Sequence, residues 1–152
     1  MKNTFASLAI AAGLVVSLAA PCFASPESEK AFVDSYKNAF EKKDGATLES
    51  FLYTKGSDPM AVEFYKMMLT SEMGGKVSKI ELRGLTADET VKATAEMPSP
   101  TGGKSKLPLT PTKKLVVSVE SGDANGTSTS TSESFVAEVD GKFLIPVPAP
   151  VR

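Results

Sequence analysis

A chain of 152 residues with 17 basic and 18 acidic side chains has material for one substantial core and carries almost no net charge. That balance excludes the basic footprint of a nucleic-acid binder and a polybasic membrane patch. With no histidine, no tryptophan and a single cysteine, Cys22, imidazole acid–base chemistry and serine–histidine–aspartate triads are excluded as well.

The first 24 residues read as a secretory leader. Lys2 supplies the positive n-region, Phe5–Ala20 is a nearly unbroken apolar run, and Pro21 breaks it before Cys22-Phe23-Ala24. Cleavage after Ala24 removes Lys2 and leaves 16 basic against 18 acidic residues, a net charge of −2. It also removes the only thiol, so thiol catalysis, thiolate zinc sites and disulfides are not expected in the mature chain. The expected location is secreted or periplasmic, with no membrane span after cleavage. Leu18-Ala19-Ala20-Pro21-Cys22 resembles a lipobox with proline where a small residue is preferred, so lipidation of Cys22 is the alternative, and an uncleaved anchor the remaining one.

Ser25-Pro26-Glu27 predicts a helix start, with serine as N-cap, proline at the first helical position and an acid against the positive dipole end. Phe32, Val33, Tyr36, Ala39 and Phe40 then form one apolar stripe, and Asp44-Gly45 predicts a glycine C-cap. A short second helix is expected through Leu48, Phe51 and Leu52, closing near Lys55-Gly56. Ser57-Asp58-Pro59 repeats the cap-then-proline start for a third helix to Met73, whose many apolar residues predict cover on more than one side.

After Gly75 the period shortens toward two. Ile80 and Leu82 alternate with charged residues, and Val91, Ala93, Ala95 and Met97 alternate likewise, so both stretches predict strands. Between them, Thr86–Glu89 reads as a capping box opening one helical turn or as a loop. Residues 98–112, rich in Pro and Gly, predict a long exposed connection. Leu115–Glu120 predicts a strand, Asn125-Gly126 a turn, Thr127–Val139 a long strand and Asp140-Gly141 a two-residue hairpin into Lys142–Val147. Pro146, Pro148 and Pro150 predict an extended tail over 146–152 without ladder pairing. The order gives one α+β domain over residues 25–152, three N-terminal helices packed on one face of a curved antiparallel sheet.

The first helix ending in Phe40-Glu-Lys-Lys-Asp44, the short helix with Leu48 and Leu52, and the final Val139-Asp-Gly-Lys-Phe-Leu-Ile145 hairpin together resemble the nuclear transport factor two-like superfamily, the cone of SnoaL-like proteins and ketosteroid isomerases. The likeness covers about a third of the mature chain, and the 86–112 stretch departs from it. It implies a sheet curved around the first helix, a pocket between them that is catalytic in some members and only binds in others, and dimerisation through the sheet. A cystatin-like or other helix-on-sheet arrangement also fits the element order.

The candidate ligand-binding residues are Tyr36, Phe40, Tyr53, Tyr65 and Met68, for an unknown small apolar ligand or a protein partner; core packing is the competing assignment for each. No cofactor, metal or nucleic acid is expected. Thr101-Gly102-Gly103-Lys104-Ser105 ends like a phosphate loop but lacks its first glycine, preceding strand and following helix. The Thr127–Ser134 tract reads as a solvent-exposed arm, a hydroxyl ladder or an edge for a partner strand. Asn125-Gly126-Thr127 matches a glycosylation acceptor and reads first as a turn. The expected function is a secreted or periplasmic, non-catalytic ligand-binding or protein-interaction module. One alternative is a small isomerase- or lyase-like enzyme using Tyr36 with a carboxylate in an apolar pocket; Asp34, two residues away, should face elsewhere. The other is a structural envelope subunit associating through the Ser/Thr strand.

Overall fold

The computed structural model describes residues 25–99, 101–123 and 126–151. The leader with Cys22, and Asn125 of the turn and the glycosylation triplet, lie outside the described residues.

Helix α1 (Pro26–Glu41) starts as its sequence predicts: the Ser25 hydroxyl accepts from the Ser28 N–H at 3.2 Å. Its buried stripe is Phe32, Tyr36, Ala39 and Phe40. The end differs from the glycine cap expected at Gly45. The left-handed residue is Lys43, at φ 60°, and the Phe40 carbonyl accepts from the Gly74 N–H at 2.9 Å. Asp44 is instead the N-cap of α2 (Gly45–Ser50), accepting from the Thr47 N–H at 3.1 Å and the Thr47 hydroxyl at 2.7 Å. With Asp44 the N-cap and Gly45 the first residue of α2, the left-handed position that closes α1 falls on Lys43.

Leu52 does not continue α2. It opens strand β1 (Leu52–Tyr53), which pairs in parallel with the penultimate strand of the chain. Helix α3 (Pro59–Thr70) is capped by Asp58, whose carboxylate accepts from Met60 N–H at 2.8 Å. It is covered on one side only, contrary to its apolar content. Ala61 and Leu69 are buried, while Met60, Phe64 and Met67 remain more than half exposed.

Strand β2 (Lys76–Gly84) carries a bulge between Val77 and Lys79. The extra residue puts Val77 and Ile80, three apart, on the same face, where both join the core. Gly75 lies so close to this core that a Cβ there would come within 2.4 Å of Val119 Cγ1. The next segment overturns the expected strand: α4 (Ala87–Thr94) is a helix, and its Val91 is 68% exposed. The capping box wins over the alternation because both reciprocal bonds form, Glu89 N–H to Thr86 Oγ1 at 3.2 Å and Thr86 N–H to Glu89 Oε2 at 3.0 Å.

Residues 98–112 are not a loose connection. Strand β3 (Met97–Pro98) pairs with β4 (Lys104–Lys106), whose Ser105 is 2% exposed. Strands β5 (Lys113–Asp123), β6 (Gly126–Val139) and β7 (Lys142–Pro146) follow as a meander. Asp140 and Gly141 form the β6–β7 turn at φ 51° and 74°, the left-handed pair a two-residue hairpin requires. The tail also departs from its prediction. Pro146 sits opposite Tyr53, and β8 (Ala149–Pro150) pairs with β4. Val147 between them is completely buried.

The main sheet therefore has the order β1-β7-β6-β5-β2, and a three-stranded sheet has the order β3-β4-β8. The fold is α+β, with antiparallel pairing throughout except β1–β7. Leu115, Val117 and Val119 of β5 turn one face toward α1 and join Phe32, Tyr36, Phe40, Leu48 and Leu69 in the core. The alternate β5 position Lys114 bonds Glu89, which puts α4 on the opposite face. One face is thus insufficient for all the helices.

Two outcomes follow for stability. Because Val147 is sealed in the core, Val147→Ala should cost about 2 kcal/mol in denaturant unfolding, far more than a tail substitution would. Glu89 accepts two bonds from the Arg83 guanidinium, at 2.7 and 2.8 Å, one from Thr86 N–H and one from Lys114 at 2.9 Å. These, Arg83 foremost, hold its carboxyl far below the usual carboxylate range. A lowered folded-state pKa contributes stability above the unfolded value of about 4.3 and loses it as pH falls toward the folded value. Glu89→Gln should therefore lower the melting temperature at neutral pH, and the gap from wild type should close as pH drops below about 4.

Candidate binding cleft

The tract Thr127–Ser134 alternates strictly, and strand geometry sorts the two hydroxyl types onto opposite faces. Ser130, Ser132 and Ser134 stand opposite Val119, Val117 and Leu115 of β5 and share their helix-facing side; Thr127, Thr129, Thr131 and Glu133 take the other. Val136 continues the serine row and is fully buried. Where β6 offers serine in place of valine, the helix layer is not filled to the sheet.

The result is a cavity of about 140 Å³ bounded by Tyr36 and Phe40 of α1, Met68 and Leu69 of α3, Ser71 and Glu72 beyond α3, and Thr131, Ser132 and Ser134 of β6. A second space of about 240 Å³ adjoins it across Met68 and Ser134. Its walls are Phe64, Tyr65, Leu107, Phe135, Ile145 and Pro146, with Glu133 at the polar side. The first is lined by hydroxyls and one carboxylate; the second is mostly apolar. Each alone is smaller than the pocket of a drug-sized ligand.

Four of the five expected residues, Tyr36, Phe40, Tyr65 and Met68, line these two spaces. Tyr53 lines neither. Its place in β1, half-buried and accepting the Val147 N–H at 3.0 Å through its carbonyl, is a structural one. Of the other residues lining the first space, Thr131, Ser132 and Ser134 fall in the tract that reads as a hydroxyl ladder, whereas Leu69, Ser71 and Glu72 are not among the expected site residues. The serines are readable from the period-two alternation with Val136 inward; Leu69 is the buried α3 position beside Met68, and only Glu72 joins through the turn after α3.

Tyr36 packs among Phe32, Phe40 and Phe51, with ring centroids 5.8 to 6.4 Å away. Burial pushes its hydroxyl pKa up to about 12. No described side chain buries an unpartnered polar atom, and no described residue hydrogen-bonds this hydroxyl, so it reaches solvent from the cavity floor. Burial also raises the Tyr65 hydroxyl. Asp34 is turned away, in an exposed ion pair with Lys30. The carboxylate that shares the cavity is Glu72, exposed at its rim and in no ion pair among the described residues. The described residues contain no cluster of acids that would hold a metal ion and no helix long and apolar enough to cross a membrane.

No protein-family model, curated protein or solved structure matches the chain.

The chain has three tyrosines. Spectrophotometric titration of the phenolate should show one component near pH 12, and Tyr36→Phe should remove that component. Since no described residue hydrogen-bonds the hydroxyl, the unfolding free energy of the same variant should lie within about 0.5 kcal/mol of wild type.

Proposed function

We propose that this protein is a non-catalytic binding module, exported through its N-terminal leader, with the cleft between α1, α3 and β6 as its binding site. The observation that carries this reading is the coexistence of an open, partly apolar cleft with the lack of an acid–base pair inside it. Tyr36 is a poor proton donor at neutral pH because burial favours its neutral form. Glu72, the one carboxylate lining its cavity, is exposed to solvent at the rim. What remains is a surface suited to recognition: aromatic and methionine walls that adapt to apolar groups, and hydroxyls that fix orientation. The element order and the Asp140-Gly141 hairpin also accord with a nuclear transport factor two-like cone, a superfamily in which a helix–sheet pocket is in some members used for binding alone.

A second reading, an isomerase-like enzyme, has one observation in its favour: Tyr36 and Glu72 line the same cavity. One experiment separates the two. The mature protein, isotope-labelled, is titrated with a small apolar probe such as anilinonaphthalene sulfonate while a steroid, polyketide and ester panel is tested for turnover. Binding predicts chemical-shift changes at Tyr36, Tyr65 and Met68, abolished by Met68→Glu, with no turnover. Turnover that Tyr36→Phe eliminates would establish the enzyme instead.

A further inference from the structure

Strand β7 pairs with β6 only at Ala137, Glu138 and Val139. From Gly126 to Val136 the sole described strand beside β6 is β5, on its other edge. The cause lies in β7. Ile145 and Val147 point their N–H groups at β1, donating to the Phe51 and Tyr53 carbonyls at 2.8 and 3.0 Å. The alternate positions, Leu144 and Pro146, therefore face β6: Leu144 pairs with Ala137, Pro146 lacks the donor the next rung needs, and Pro148 has already turned away, its carbonyl accepting the Asp58 N–H. No segment of the described chain can extend β7 along this edge. The open edge runs beside α3, whose apolar Phe64 and Met68 form the opposite wall, so the space is a trough between a strand and a helix.

We propose that this trough receives an extended peptide segment of a partner protein, added as a further strand on the open edge of β6. The inference rests on the binding reading above and names the partner class. Main-chain donors and acceptors of β6 supply the pairing, while pockets take alternate side chains. The helix-facing side chains of the added strand recur every second residue, as Ser132 and Ser134 do. One enters the apolar space beside Tyr65 and Met68; its neighbour two positions away meets Glu72, which has no ion-pair partner among the described residues. The fitting peptide thus carries an apolar and a basic residue at i and i+2. A compact ligand would leave the edge unpaired, and the nearby cations that an anionic membrane would need are already paired, Lys114 with Glu89 and Glu133 and Lys66 with Glu49 and Glu63.

The test uses nine-residue synthetic peptides in which threonine alternates with leucine, lysine or glutamate. Binding is read by calorimetry and by amide hydrogen exchange of β6 residues 127–135 in the mature protein. Peptides with leucine and lysine two apart should slow exchange along β6 and bind about tenfold tighter than their glutamate versions. N-methylation of the alternate amides that face β6 should remove both effects. Glu72→Lys should invert the lysine–glutamate preference without changing the fold. Unchanged exchange along β6 with every peptide, or binding indifferent to N-methylation, would overturn the proposal. So would a dimer by light scattering whose β6 amides are protected before peptide is added, or anionic vesicles protecting α3 in place of β6. If the apolar probe still shifts Tyr36 and Met68 while no peptide protects β6, the binding module stands and the strand-addition mode falls.

Discussion

The placement of Pro146 between Ile145 and Val147 is the constraint on which this architecture turns. A strand has two hydrogen-bonding edges, and residues address them in turn. Here Ile145 and Val147 donate toward β1, while Pro146, next after Leu144 to address β6, has no N–H to give. These three residues therefore tie the chain's end to β1 and leave β6 without a β7 partner from Val136 back to Gly126. Without proline at position 146, β7 could continue along β6 and fill the space that Phe64, Tyr65 and Met68 now border.

The tail that opens the cleft also fixes its far wall. The Pro148 carbonyl accepts the Asp58 N–H at 3.3 Å and the Val147 carbonyl accepts the Ser57 hydroxyl at 2.8 Å. Asp58 in turn caps α3 and receives the Thr101 hydroxyl at 2.6 Å, a bond that lowers its pKa and links α3 to the β3–β4 hairpin. At the other end of α3, Gly75 allows the chain to pass against Val119 at a distance no side chain could occupy. Helix α3 is thus held at both ends while its middle, with Phe64 and Met67, stays uncovered. An apolar helix face left open at rest is costly, and rigid ends are what keep it from collapsing onto the serine row of β6.

Legibility in the sequence followed the range of the forces involved. Ser25, Asp58 and Asp140-Gly141 act through neighbours within four residues, and each element they start or turn was readable from them. The same local logic misread Val91, Ala93, Ala95 and Met97. Only Ala93 is buried, because Glu89 closes the cap with Thr86 and anchors α4 to Arg83 and Lys114, a partner 25 residues away that no window contains. The prolines of the tail were read as ending pairing on both edges, whereas geometry removes donors from one. Likewise, Tyr36, Phe40, Tyr65 and Met68 were identifiable as aromatic and methionine positions, but only tertiary packing shows that they converge where β6 changes from valine to serine.

An unpaired edge is usually defended, by lysine, proline, a bulge or a short strand. Here, from Thr127 to Phe135, β6 has none of the first two, and its register with β5 runs without a shift from Gly126 to Val136. Its single charge, Glu133, is paired with Lys114 from the neighbouring strand and lies on the sheet face away from α1 and α3. The protection consists of hydroxyls alone: serine and threonine satisfy solvent while leaving the backbone row accessible, and Ser118–Thr131 and Ser121–Ser128 hydroxyl pairs bind β6 to β5 without blocking its outer side. That pattern discourages hydrophobic self-association, since neither face of the arm is apolar, yet admits a strand whose own side chains bring the apolar contact to α3. Selection against all edge pairing would have used charge; hydroxyls with a nearby apolar wall make pairing conditional on what the incoming strand carries.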